Sequence, residues 1–126
     1  MVREASQPLE VKLVIRFGST VTGRARADSD VDLAVLASRE LSLADRERCV
    51  VDLARRHGIP EDKIDLVDLR TAPPLLQHEV AEHGVLLEGD PDDFVHFRVS
   101  AWKVFQDTAR LRRAREQHLK KRLDVP

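Results

Sequence analysis

Apolar residues recur with a period of two in several short stretches of the chain, which is the spacing of half-buried β-strands. The first stretch covers residues 11–17, with every second residue from Val11 onward on the apolar face. The same reasoning predicts strands over residues 31–36 and 63–69, and a short fourth strand over residues 85–87. The pattern therefore predicts a small sheet.

Helix signals lie between and after these strands. Ser42 and Asp45 have the spacing of an N-terminal capping pair, and the helix that they begin ends at Gly58. Two adjacent prolines open a second helix within residues 73–84. Apolar residues then recur every three or four positions, which predicts a long helix over residues 91–122.

Strands alternating with helices predict an α/β or α+β fold, with a small mixed sheet flanked by helices and a long C-terminal helix. The 126 residues fit one domain spanning 1–126, with residues 1–10 as a polar lead-in. No apolar run approaches the ~18 residues of a membrane span, so no membrane contact is expected. The single cysteine, Cys49, fits a reducing compartment, and we expect a cytoplasmic protein.

Charge is unevenly distributed, although the formal net charge is only −1. Residues 98–122 contain nine Lys or Arg and two acidic residues. This basic run is either the solvated side of an amphipathic helix or a surface for an acidic partner. Too few aromatic residues are interleaved with it for direct nucleic-acid binding. Trp102 and the nearby phenylalanines belong either to the core or to a partner-facing surface.

Residues suited to phosphate chemistry follow the first strand and open the second. Gly18 lets the backbone approach an anion closely, and Ser19 adds a hydroxyl at the start of the next segment. Asp30 and Asp32 are two residues apart on a strand, so their side chains leave the same face. Two carboxylates opposite phosphate oxygens form a site for Mg²⁺. The combination predicts a nucleotidyl-transfer site.

The Gly-Ser step, ten intervening residues and the Asp-x-Asp motif resemble the nucleotidyltransferase superfamily that includes DNA polymerase β, specifically its minimal (MNT) branch. The resemblance implies a polymerase β-like fold and a third acid on a later strand. We assign that acid to Asp65, and Asp68, on the opposite strand face, is the alternative. The family commonly has an arginine soon after Gly-Ser, whereas this chain has Thr20, a difference that bears on nucleotide affinity.

The same resemblance implies roles for these residues. Gly18 and Ser19 would bind the nucleotide, with ATP as substrate. Asp30, Asp32 and Asp65 would be the catalytic residues and would hold two Mg²⁺ ions.

Minimal nucleotidyltransferases of this size resemble antitoxins that are encoded beside a HEPN ribonuclease toxin. The resemblance implies an antitoxin adenylyltransferase that moves AMP from ATP to a tyrosine of that toxin by a two-metal mechanism. Two alternatives stay open, namely an antitoxin that acts by complex formation alone and a transferase for small molecules. A homo-oligomer and a hetero-oligomer with the toxin are both compatible with the sequence.

Overall fold

A computed structural model describes residues 8–18 and 30–124, with side chains up to residue 121. Its elements follow the chain in the order β1 (Val11–Phe17), β2 (Val31–Ala37), α1 (Leu43–His57), β3 (Ile64–Asp68), α2 (Pro74–His83), β4 (Val85–Gly89) and α3 (Pro91–Asp124). A short 3₁₀ turn, Glu61–Lys63, precedes β3. Each predicted strand and helix in this part of the chain is confirmed, with β2 and β4 extending further than predicted and β3 shorter.

The described strands form one sheet in the order β3-β2-β1-β4. β1 pairs antiparallel with both β2 and β4, whereas β2 and β3 run parallel. The predicted mixed sheet is therefore confirmed. β1 ends where β2 begins, and β3 begins beside β2. The end of β1 and the starts of β2 and β3 therefore lie next to one another at one end of the strands.

Helices cover both faces of the sheet. On one face, α2 and α3 pack against Leu13, Ile15 and Phe17 of β1. On the other face, α1 packs against Val14 and its neighbours. Strand β1 is thus buried on both sides, which corrects the prediction of a single apolar face. Val11 was predicted to lie on that face but is 39% exposed, because the ladder between β1 and β2 is irregular beside it.

The ends of α1 are formed as its sequence predicts. The Ser42 hydroxyl accepts a hydrogen bond from the Asp45 backbone N–H at 3.1 Å, and the Asp45 carboxylate accepts one from the Ser42 N–H at 2.8 Å. Arg39 also donates to this buried carboxylate. Gly58 ends the helix with φ 65°, a left-handed conformation that glycine adopts without strain. Two of the four free N-terminal donors are therefore satisfied locally.

Replacing Asp45 with alanine is expected to lower the free energy of unfolding by about 1–2 kcal/mol at neutral pH, because the cap and the Arg39 contact are both lost. The hydrogen bonds from Arg39 and Ser42 hold the pKa of Asp45 well below its usual range. An unfolded Asp titrates near ~3.9, so this stabilisation is complete above about pH 4 and is lost as the pH falls further. Denaturant titrations of both proteins should show a smaller difference at about pH 3 than at neutral pH. A difference that stays constant across this range would contradict the assignment.

Helix α3 contacts the core only along its first part. Phe97 and Ala101 are buried against α2, and the ring of Phe105 stacks on His78 with centroids 3.8 Å apart. Beyond Phe105 the apolar spacing no longer marks buried positions, since Leu111 is 71% exposed. In the part of the chain that the structure describes, no helix is both long enough and apolar enough to cross a membrane.

Candidate functional site

The predicted acids lie at the sheet edge where β1 ends and β2 and β3 begin. Phe17 is the antiparallel partner of Asp32, so Gly18 follows directly beside that residue. Asp32 is in turn the parallel partner of Asp65 on the neighbouring strand. This register brings the second acid of the Asp-x-Asp motif next to the assigned third acid.

The Asp32 and Asp65 side chains leave the same sheet face, because residues in register on parallel neighbouring strands point the same way. Asp32 is half-buried and Asp65 is exposed. Burial, the negative charge of Asp65 and a hydrogen bond with its carboxyl group together raise the pKa of Asp32, and Asp30 adds a smaller effect of the same sign. Either a proton or a bound cation would therefore offset the repulsion between the two carboxylates.

Asp30 lies one residue before β2, and its side chain is exposed. Among the residues that the structure describes, no three His, Cys, Asp or Glu side chains converge into a group that could hold a metal ion by itself. The register brings Asp32 and Asp65 together, and Asp30 is close enough for its charge to act on Asp32. An all-oxygen pair of this kind suits Mg²⁺, which usually takes one or two carboxylates together with substrate phosphate oxygens.

Gly18 adopts φ 83°, a left-handed conformation that side chains disfavour. A methyl group built at this position would overlap the Asp32 carboxylate oxygen and lie 3.0 Å from its Cγ. The backbone after β1 therefore passes directly over the Asp32 carboxylate, which only glycine permits. Ser19, the other predicted nucleotide-binding residue, lies outside the described residues.

Asp68, the alternative third acid, points to the other face of the sheet. It is only 2% exposed, and it accepts hydrogen bonds from the backbone N–H groups of Leu41, at 2.9 Å, and Arg70, at 3.0 Å. The Arg70 side chain donates a hydrogen bond to the Ala37 carbonyl at 2.6 Å, which joins the end of β2 to the segment that follows β3. Asp68 thus holds the connections at the far ends of β2 and β3, a role that its sequence position does not reveal.

A known protein family and an individual relative both match this amino-acid sequence. The family described as "Polymerase beta, Nucleotidyltransferase" matches residues 2–93. The protein adenylyltransferase MntA of Shewanella oneidensis is 33% identical over 97 residues, which cover 77% of this chain and 68% of that relative.

Solved structures agree with this result. A crystal structure of a toxin–antitoxin complex with AMP-PNP contains a chain that is 30% identical, with a TM-score of 0.74 over 93% of this chain and 91% of that one. A structure of the tri-AMPylated Shewanella oneidensis HEPN toxin in complex with an MNT antitoxin matches at 28% identity and a TM-score of 0.66, over 94% of this chain and 89% of that one.

Proposed function

Because the chain belongs to the polymerase β nucleotidyltransferase family, we propose that it is an antitoxin that transfers AMP from ATP to a tyrosine of a cognate HEPN toxin. The observation that carries the proposal is the Asp32–Asp65 pair beneath Gly18, in a chain 33% identical to a protein adenylyltransferase. The MNT antitoxin in complex with an AMPylated HEPN toxin supports a HEPN toxin as the acceptor protein.

Several residues of this chain would have separate roles in AMP transfer. The missing side chain at Gly18 makes room for the Asp32 carboxylate beside the backbone to which the phosphates of ATP would bind. Asp65, which is exposed, would accept the proton of the attacking hydroxyl group. Asp32 and Asp65, with Asp30, would hold two Mg²⁺ ions. When bound, the metal supplies charge neutralisation at the transferring phosphate and the leaving pyrophosphate.

The proposal also has a cellular consequence. A ribonuclease toxin meets its RNA substrates in the cytoplasm, so an antitoxin that modifies it acts there as well. The stable unit would then include the toxin as a hetero-oligomeric partner.

Matched variants of Asp65 and Asp68 test which acid takes part. Asp65→Asn is expected to lower the rate of AMP transfer at least about 100-fold with little change in stability, because its side chain is exposed and has a role only in transfer. Asp68→Asn is expected to lower the free energy of unfolding by about 1–3 kcal/mol, because an amide nitrogen would face a backbone donor. Its transfer rate should stay within about twofold of wild type at a temperature where it is folded.

The measurements are the transfer of label from α-labelled ATP to the toxin and the denaturant midpoint of each variant. The reverse outcome, with Asp68→Asn inactive and fully stable while Asp65→Asn retains transfer, would overturn the assignment of the third acid.

A further inference from the structure

One face of α3 carries apolar side chains that the described part of the chain leaves uncovered. Val95, Val99 and Trp102 are 52%, 48% and 52% exposed, and their spacing of four and three residues places them in one stripe. Together with Glu82 and Arg98 they line a groove of about 340 Å³. A half-exposed tryptophan flanked by valines on one helix face is typical of a protein–protein interface.

The same face of α3 changes its charge along the helix. Its first turn contributes Asp92, which lies three residues before Val95 and therefore on the same side of the helix. Beyond the apolar stripe, Gln106, Arg110 and Arg113 continue the face. Together with Asp107 they line a second, polar recess of about 340 Å³, in which the two arginines outnumber the single acid. The face is thus acidic at its start, apolar in its middle and basic at its end.

Trp102 lies almost midway between the two charged ends. Asp92 is ten residues before it and Arg113 eleven residues after it, which correspond to about 15 Å and 16.5 Å along a helix. A second copy of α3 running antiparallel and centred on Trp102 would therefore bring Asp92 against Arg113 at both ends. A parallel copy would instead place the two basic ends side by side.

We propose that this face, from Asp92 to Arg113, is a two-fold symmetric interface with a second copy of this chain, with Trp102 on the symmetry axis. None of the salt bridges in the described part of the chain uses Asp92 or Arg113, so both charges are available to a partner. One pair of helices buries less than the about 800 Å² per partner of a typical stable complex. The dimer is accordingly weak, with a Kd of roughly 10–100 μM. The proposal does not depend on the transfer chemistry.

The chain contains one tryptophan and no tyrosine, so its intrinsic emission reports on Trp102 almost alone. Raising the protein concentration through the expected Kd should shift this emission to the blue while the mass from sedimentation rises toward that of a dimer. Val99→Ala should weaken the association at least about tenfold. Val85→Ala is the matched control, because Val85 is a valine of nearly equal exposure, 49%, on β4.

A charge exchange tests the antiparallel register. Asp92→Arg and Arg113→Asp should each be monomeric alone, because each homodimer would contain two like-charge contacts. Mixed in equal amounts they should form a heterodimer with affinity near that of wild type, because both contacts again join opposite charges. A mixture that associates no better than either variant alone would overturn the proposal.

The occupant of the face can also be distinguished. If the wild-type chain stays monomeric well above the expected Kd and the Trp102 emission shifts only when the HEPN protein is added, the face binds that protein and the proposed self-association is wrong.

Discussion

Replacing Asp32 with asparagine is expected to lower the rate of AMP transfer at least about a thousandfold, which corresponds to about 4 kcal/mol of lost transition-state stabilisation. Asp32 is the acid that lies both beneath the Gly18 backbone and beside Asp65. An amide in its place keeps the shape but loses the negative charge that would hold Mg²⁺ beside the phosphates. Transfer of label from α-labelled ATP to the HEPN protein, followed over time, measures the loss.

The same substitution should not destabilise the protein. Burial and the charge of Asp65 raise the pKa of Asp32, so the ionised carboxylate opposes folding at neutral pH and its removal relieves that repulsion. The free energy of unfolding without added Mg²⁺ should equal or exceed that of wild type. Asp52→Asn, the same chemical change at an exposed position on α1, is the control and should keep full transfer. If the Asp32→Asn variant transferred AMP at nearly the wild-type rate, Asp32 would have no role in the mechanism.

Replacing Gly18 with alanine is expected to reduce transfer at least about 100-fold, because an added methyl group must displace the Asp32 carboxylate or the backbone above it. The left-handed backbone adds a cost in stability of about 1–2 kcal/mol. Transfer rates and denaturant midpoints of the variant separate the two effects.

Gly58→Ala is the matched control for Gly18→Ala. Gly58 also adopts a left-handed conformation, with φ 65°, but a methyl group there would contact nothing within 4 Å. This variant should lose about 1 kcal/mol of stability and keep its transfer rate. If Gly18→Ala and Gly58→Ala behaved alike in both measurements, the close approach of the Gly18 backbone to Asp32 would have no role in transfer.

Local signals in the sequence were sufficient for most of the fold. The cap formed by Ser42 and Asp45 and the left-handed stop at Gly58 depend on a few neighbouring residues, so their residue types predicted the bounds of α1 closely. Properties that depend on tertiary packing were less accessible. The burial of Val14 requires α1 on the second face of the sheet, and a strand pattern alone does not indicate a second covering layer.

The candidate site shows the same division. The motif identified Gly18, Asp30 and Asp32, but the contact between Asp32 and Asp65 follows from the parallel register of β2 and β3, which periodicity does not determine. The structural role of Asp68 depends on two backbone N–H groups, one of which, that of Leu41, is distant in sequence. The role of Ser19 in nucleotide binding stays a prediction, as does the assignment of residues 1–126 to a single domain.

The most direct test is to measure the intact mass of the cognate HEPN protein after incubation with this chain, ATP and Mg²⁺. The HEPN protein is expected to gain the mass of one or more AMP units on tyrosine, and Asp30→Asn is expected to prevent the gain. This chain has no tyrosine of its own, so any AMP that is linked to a tyrosine must be attached to the partner. A tight complex in which neither protein gains mass would contradict the transfer activity and leave an antitoxin that acts by binding. The absence of both complex and mass gain would point instead to a small-molecule acceptor.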